Sequence, residues 1–179
     1  RELLGDPALK PTPAHITQAL NHFEEILKVR KSSHLFRLRT AEEISARVHF
    51  QNTGPEQIPG LIVMSIEGEP IGPAGTYQAA VVLFNATDEE QRIASESFKN
   101  QGLELHPVLK ESTDPLVRSA AFEVGTGTFT VPARTTAVFM APVSETSPPP
   151  PDEEPEEDEG CGWSGAGSGA WRAFALVPG

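Results

Sequence analysis

Two pairs of adjacent carboxylates, Glu24–Glu25 and Glu42–Glu43, are of a side-chain type that can serve in acid–base chemistry. Both pairs fall in stretches with helical periodicity, and neighbouring side chains on a helix point about 100° apart. Adjacent carboxylates therefore diverge and cannot face each other across a bond. We interpret these pairs as a solvated helix face and a helix cap, and we predict that the chain contains no catalytic residue.

The histidines and the cysteine give no metal-binding pattern. No His-x-x-x-His occurs, and no histidine stands at ligand spacing from a cysteine or aspartate. The single cysteine, Cys161, excludes an intrachain disulfide and a cysteine-based zinc site. No Gly-x-Ser-x-Gly elbow or phosphate-binding loop is present. We therefore predict neither metal ligands nor cofactor-binding residues. The histidines are His15, His22, His34, His49 and His106.

The charge distribution separates a globular part from an acidic tail. The formal net charge of the 179 residues is −11, and seven of the 25 acidic side chains lie between Asp152 and Glu159. This balance argues against nucleic-acid binding, which needs a basic patch. No apolar run approaches the ~20 residues of a membrane span. Residues 144–179 are rich in Pro, Glu, Gly and Ser, so we expect them to be disordered.

A long helix is predicted over about residues 13–30. Thr12 suits its N-cap and Pro13 its first position. An apolar stripe follows at helical spacing, and nothing upstream is available to pack on it. A second, short helix is predicted from the capping-box pattern of Thr40 and Glu43, reaching to about Arg47. The stripe of the first helix consists of Ile16, Leu20, Phe23 and Leu27.

Short strands separated by turn formers follow the helices and predict an antiparallel β-sandwich. A Gly125–Gly127 hairpin turn separates two of them. Two strands do not alternate between apolar and polar residues, which suggests that both of their faces are covered, either by the first helix or by a neighbouring domain. The alternative is a central strand with some exposed Val and Ile, because much of any protein surface is apolar. The predicted strands are 61–66, 79–84, 103–106, 120–124, 128–131 and 136–140; those without alternation contain 61–64 and 80–84.

Several segments resemble the C-terminal region of the pullulanase-type α-1,6-glucosidases, the family of the plant limit dextrinases and their bacterial relatives. The longest are RKSSHLFRLRTAEEI (30–44), FQNTGPEQIPGLIVMS (50–65) and GTFTVPARTTAVF (127–139). VLFNATDE (82–89) and LHPV (105–108) lie between them in the same order. Two stretches depart from the family pattern. Residues 90–102 are more polar than the expected strand and turn, and the tail resembles nothing in the family.

The resemblance implies a (β/α)₈ barrel that hydrolyses α-1,6 branch points in starch, pullulan and limit dextrins. Residues 1–44 would then be the end of that barrel and a junction, residues 45–143 the C-terminal β-sandwich, and residues 144–179 the tail. The catalytic Asp and Glu of the family belong to barrel strands, and no position here matches them. Because Arg1 is not an initiator methionine, we expect a truncated chain whose partner is the barrel upstream. The family location would be a plastid, the bacterial cytoplasm or outside the cell.

Three functions remain open at this point. The first is a non-catalytic stabilising domain of a debranching hydrolase, and the second is a carbohydrate-binding module for α-glucans. A binding module needs exposed aromatic side chains, and outside the tail the chain offers only Tyr77 and eight phenylalanines, most of them at predicted core positions. The third is an interaction module that uses the Pro-rich tail. In the tail, Trp163 and Trp171 lie in Gly- and Ser-rich sequence unsuited to a rigid sugar-stacking platform. The pattern Asn85-Ala-Thr87 fits a glycosylation acceptor, which matters only in a secreted protein.

Overall fold

A computed structural model of the chain describes residues 5–68 and 77–143. In these ranges, four α-helices and eight strands follow one another, and the strands form two antiparallel sheets. The helices are α1 (Pro13–Ser32), α2 (Ala41–Arg47), α3 (Pro107–Lys110) and α4 (Pro115–Arg118). The strands are β1 (Val48–Phe50), β2 (Leu61–Glu67), β3 (Tyr77–Asn85), β4 (Gln91–Ala94), β5 (Glu104–Leu105), β6 (Ala121–Glu123), β7 (Thr128–Val131) and β8 (Thr136–Pro142).

Both predicted helices begin where their capping residues indicated. The Thr12 hydroxyl accepts a hydrogen bond from the backbone N–H of His15 at the start of α1, with Pro13 at its first position. Thr40 and Glu43 form the predicted capping box of α2. Helix α1 ends two residues later than expected, at Ser32, and a 3₁₀ turn at His34–Arg37 leads from it toward α2.

The larger sheet has the strand order β1-β2-β3-β8-β5, and the smaller has the order β4-β7-β6. The hairpin predicted around Gly125–Gly127 joins β6 to β7, with Phe122 opposite Phe129. The antiparallel sandwich is therefore confirmed. One strand was not predicted: Gln91–Ala94, in the stretch that is more polar than the family pattern, pairs with β7. An edge strand of a small sheet can be this polar because one of its faces contacts water.

The core lies between the sheets and is centred on phenylalanines. Phe129 of β7 is 1% exposed, and its ring centroid lies 5.1 Å from that of Phe139 in β8. The rings of Phe122 and Phe98 lie 4.6 Å and 5.3 Å from that of Phe129. Pairs of aromatic rings at these separations add to the area-based burial energy. This cluster joins the small sheet to the inner face of the large one.

The outer face of the large sheet is covered at one end only. The end of α1 and the 3₁₀ turn supply Val29 and Leu35, which are 3% and 1% exposed, and Val82 of β3 is buried on this face. The expectation that 80–84 would be covered on both faces holds from Ala80 to Leu83. In β2 the alternative of a partly exposed apolar strand holds at Ile62, which is 51% exposed because the helix does not extend over that end of the sheet.

Two further expectations need correction in the part between β5 and β6. The strand predicted at 103–106 is shorter, Glu104–Leu105, because His106 turns away to cap α3. The short helices α3 and α4 were not predicted. Each begins with a proline after a capping side chain, His106 before Pro107 and Asp114 before Pro115. These cap-plus-proline pairs were the local signal for both helices.

Candidate domain interface

The paired carboxylates have structural contacts. The Glu25 carboxylate accepts hydrogen bonds from the Ser112 hydroxyl at 2.8 Å and the Thr113 backbone N–H at 3.3 Å. Glu43 accepts from the backbone N–H groups of Arg39 at 2.9 Å and of Thr40 at 3.3 Å. These backbone hydrogen bonds lower the pKa of Glu43 because they stabilise its charged form, and the bond from Arg39 has the largest effect. The predicted role of Glu43 as a cap is thus confirmed, whereas Glu25 ties α1 to the turn after α3.

The histidines are spread over separate elements. His15 accepts a long hydrogen bond from the Thr12 backbone N–H, at 3.4 Å, within the N-terminal cap of α1. His106 alone is buried, at 2% exposure, and burial lowers its pKa. Across residues 5–68 and 77–143, no group of three His, Cys, Asp or Glu side chains is placed to hold a metal ion. Nor is any helix in those ranges long and apolar enough to cross a membrane.

Asn85, the first residue of the glycosylation pattern, is an interior side chain. It is 3% exposed, and its Nδ2 donates to the carbonyl oxygens of Glu89, Val131 and Pro132 at 2.8, 3.2 and 2.9 Å. Its Oδ1 accepts from the backbone N–H and the hydroxyl of Thr87. Asn85 therefore ties the end of β3 to the connection between β7 and β8. The Cys161, Trp163 and Trp171 side chains and the Pro148–Pro151 run lie outside the described residues.

The apolar stripe of α1 faces outward. Its four side chains are 61%, 54%, 60% and 49% exposed in the order Ile16, Leu20, Phe23 and Leu27. The opposite side of the helix, at positions 25, 29 and 32, contacts the sandwich instead. Residues spaced by three or four positions lie on the same face of a helix, so the four stripe residues form one face and positions 25, 29 and 32 form another. This 20-residue helix thus turns its most apolar side away from the domain that carries it.

A second apolar area lies at the uncovered end of the large sheet. Phe50, Ile62 and Phe84 lie on its outer face and are 56%, 51% and 38% exposed. Ile44 of α2 is 47% exposed, and it lines a groove of about 500 Å³ together with Phe84 and α1 residues such as Ile26. Most of the groove is apolar. Together with Phe23, three of the eight phenylalanines outside the tail are therefore exposed, and the other five lie in or against the core, as expected for most of them.

Covering the outward face of α1 would be energetically favourable. Fully burying a Leu, Ile or Phe side chain stabilises by about 1.5–3 kcal/mol. Because about half of each of these four side chains is still in contact with solvent, covering all of them would contribute about 4 kcal/mol. Coherent apolar faces of this kind typically mark protein interfaces. The described residues thus form a sandwich domain that carries a helix with an exposed apolar face.

Comparison with known proteins identifies the family. The model of the family "Alpha-1,6-glucosidases, pullulanase-type, C-terminal" matches residues 1–142, and the chain belongs to this family. It is 46% identical over 143 residues to chloroplastic pullulanase 1 of Arabidopsis thaliana, covering 76% of this chain and 15% of that protein. It is 30% identical over 138 residues to the pullulanase of Klebsiella pneumoniae, covering 75% of this chain and 12% of that protein.

Solved structures agree with the sequence comparison. The crystal structure of PulA from Klebsiella oxytoca matches with a TM-score of 0.64 at 30% identity, over 75% of this chain and 13% of that one. The apo pullulanase of Klebsiella pneumoniae also gives 0.64, at 28% identity over 76% of this chain and 15% of that one. The chain thus spans about an eighth to a seventh of the length of the relatives that it matches. It is similar to the C-terminal domain of debranching enzymes.

Proposed function

We propose that this chain is the non-catalytic C-terminal part of a pullulanase-type debranching enzyme, whose parent hydrolyses α-1,6-glucosidic bonds in starch, pullulan and limit dextrins. Its role is to stabilise the catalytic barrel by packing against it. In this proposal residues 1–44 are the last helix of the barrel and a junction, 45–143 are the stabilising domain, and 144–179 are a separate tail. The α-glucan is the substrate of the parent, and the barrel is the intramolecular partner of this chain.

The observation that carries the proposal is the outward face of α1. A helix at the edge of an independently folding domain would turn its apolar stripe toward the core of that domain. Here Leu20 and Phe23 are more than half exposed, while the opposite side is attached to the sandwich through Val29. A last barrel helix needs this arrangement, because its apolar stripe packs on barrel strands while its other side contacts the next domain.

A chimera tests the proposal. The C-terminal segment of the Arabidopsis pullulanase that matches this chain is replaced by residues 1–142, and pullulan hydrolysis is measured. We expect the chimera to be active and the isolated chain to release no reducing sugar. The substitutions Leu20→Lys and Phe23→Lys together should lower the yield of soluble, active chimera about tenfold or more, because they bury unpaired charges. In the isolated chain, the same two substitutions should change the free energy of unfolding by less than about 0.5 kcal/mol.

The matched control adds two lysines elsewhere on the same helix. Thr17→Lys and Glu24→Lys lie off the apolar stripe at exposed positions, so we expect this chimera to keep its activity. Pullulan hydrolysis by the isolated chain would contradict the non-catalytic role. Equal activity of the Leu20→Lys/Phe23→Lys chimera and the control would contradict packing through this face.

The carbohydrate-binding module remains the second candidate, favoured by one observation. Phe50 and Phe84 are exposed on the same face of the large sheet, and aromatic faces can stack on sugar rings. Affinity electrophoresis in amylopectin distinguishes the two functions. A stabilising domain should migrate as it does without the polysaccharide. Retardation that is lost in Phe50→Ala would support the binding module instead.

A further inference from the structure

The turn between β7 and β8 holds Arg134 in the left-handed region of backbone conformation, with a φ of +50°. The other four described residues with positive φ are Asn100 and three glycines. Glycine and asparagine tolerate this conformation, whereas a long side chain adopts it at a cost in free energy. The Arg134 side chain is exposed, so packing does not explain why an arginine stands here. An unfavourable backbone conformation at such a position indicates a function of the side chain.

Three hydrogen bonds to the backbone of this turn fix it on the end of β3. The Arg134 N–H donates to the Thr87 carbonyl oxygen at 2.9 Å. On either side of Arg134, the carbonyl oxygens of Pro132 and Thr135 accept from Asn85, the first from its Nδ2 and the second from its backbone N–H, both at 2.9 Å. A side chain that extends from a fixed backbone is presented to a partner with little loss of conformational freedom. The backbone at Arg134 is therefore suited to a binding residue.

Arg134 lines a cleft of about 530 Å³ between α1 and the sandwich. Helix α1 is attached to the sandwich through its C-terminal half, and every residue from Pro13 to Leu20 in its N-terminal half is exposed. The cleft lies beside this exposed half, and its volume is in the range of pockets that hold ligands or short chain segments. Its polar lining includes His15, Gln18 and His22 on the helix, and Asp114, Arg134 and Thr135 on the sandwich.

The charges of the cleft favour a neutral partner that accepts hydrogen bonds. Two carboxylates line it: Glu25 accepts from Ser112 at 2.8 Å, and Asp114 accepts from the Leu116 backbone N–H at 2.9 Å. None of the three ion pairs among the described residues includes Arg134. Two carboxylates and one guanidinium leave the cleft with a negative net charge when the histidines are neutral, so an acidic group would be repelled. The guanidinium has five N–H donors, which neutral carbonyl oxygens can accept.

We propose that this cleft receives a main-chain segment of the catalytic barrel, and that Arg134 donates hydrogen bonds to the carbonyl oxygens of that segment. The inference rests on the proposed function, because the barrel is the partner that α1 would bring next to the cleft. A polypeptide backbone is neutral, and its carbonyl and N–H groups match the guanidinium of Arg134 and the carboxylate of Asp114. An α-glucan fits less well, since no Phe, Tyr or Trp is among the described residues that line the cleft, and sugar rings stack on such side chains.

Arg134→Asn distinguishes a binding role of this side chain from a structural one. Asparagine tolerates the left-handed backbone, so the isolated variant should unfold at the same urea concentration as the wild type or at a higher one. In the chimera that carries residues 1–142 on the Arabidopsis enzyme, the same substitution should shorten the half-life of pullulan hydrolysis at a fixed inactivating temperature about tenfold. Carbonyl groups enclosed in the cleft would lose their hydrogen-bond donor, and unsatisfied buried acceptors are destabilising.

The matched control is Arg92→Asn, because the Arg92 side chain is 72% exposed on the small sheet and does not line the cleft. Its chimera should keep the wild-type half-life. The inference is overturned if Arg134→Asn leaves the half-life of the chimera unchanged, or if it lowers the urea midpoint of the isolated chain. It is overturned equally if Arg134→Asn abolishes a retardation of the isolated chain in amylopectin, which would identify a glucan as the occupant. Each of these results leaves the Leu20→Lys/Phe23→Lys chimera impaired, whereas an inactive wild-type chimera would overturn the proposed function and this inference together.

Discussion

Replacement of Asn85 should destabilise the domain strongly although this residue lies far from the outward face of α1. Its side chain takes part in five hydrogen bonds, three donated by Nδ2 and two accepted by Oδ1. Nδ2 carries only two hydrogens for three carbonyl acceptors, so the five contacts correspond to about four full hydrogen bonds. At about 1 kcal/mol net for each, Asn85→Ala should lower the free energy of unfolding by about 4 kcal/mol. That is a large share of the 5–15 kcal/mol typical of a domain.

Asn85→Asp distinguishes the contribution of the hydrogen bonds to stability from that of side-chain packing. The aspartate has the same shape, but it presents an oxygen to the carbonyl groups of Glu89, Val131 and Pro132. Its folded-state pKa should be raised above the ordinary value of about 3.9, because only the protonated form can donate a hydrogen bond there. The variant should therefore be least stable at pH 7, and its deficit relative to the wild type should shrink by about 1 kcal/mol or more at pH 4.

Urea unfolding followed by far-ultraviolet circular dichroism measures both effects. Asp88→Asn is the matched control, since Asp88 is exposed in the same turn and its substitution should cost less than about 0.5 kcal/mol. A loss below about 1 kcal/mol in Asn85→Ala would refute the hydrogen-bond accounting. A deficit of Asn85→Asp that is equal at pH 4 and pH 7 would refute the assigned orientation of the amide.

Two shorter predictions concern the hairpin turn and the α2 cap. Gly127→Ala should lower the midpoint of thermal unfolding more than Gly125→Ala does. Gly127 has a φ of +66°, and a Cβ at this position would lie 2.5 Å from the backbone carbonyl oxygen of Ser95, which follows β4. A Cβ at Gly125 would have no neighbouring atom within 4 Å. Similar midpoints for the two variants would contradict this. The pKa of Glu43 is lowered mainly by the hydrogen bond from the Arg39 backbone N–H. Ionised Glu43 therefore stabilises the folded chain at pH values above the ordinary pKa of 4.5, and this contribution is lost as the pH falls through the folded-state pKa. Thermal melts from pH 6 to pH 3 should therefore show a smaller acid loss in Glu43→Gln than in Glu42→Gln.

Elements with strong local signals could be predicted from the sequence. The caps at Thr12 and Thr40 defined where α1 and α2 begin, because a capping side chain acts within three residues of itself. The hairpin at Gly125–Gly127 and the strands β2, β3, β7 and β8 followed from turn formers and apolar runs in the same way. By contrast, β4 was missed because its pattern is polar, and its existence depends on pairing with β7 more than thirty residues later.

The sequence by itself determined which side chains of α1 share a face, because helical periodicity is a local property. It could not determine which of the two faces contacts the sandwich. Only the tertiary structure decided that Glu25 and Ser32 point inward, since their partners Ser112 and His106 are 87 and 74 residues away. The tertiary structure likewise made Asn85 an interior residue of the fold instead of an accessible glycosylation acceptor. Polar contacts between distant residues depend on how whole elements pack, and no local spacing encodes that packing.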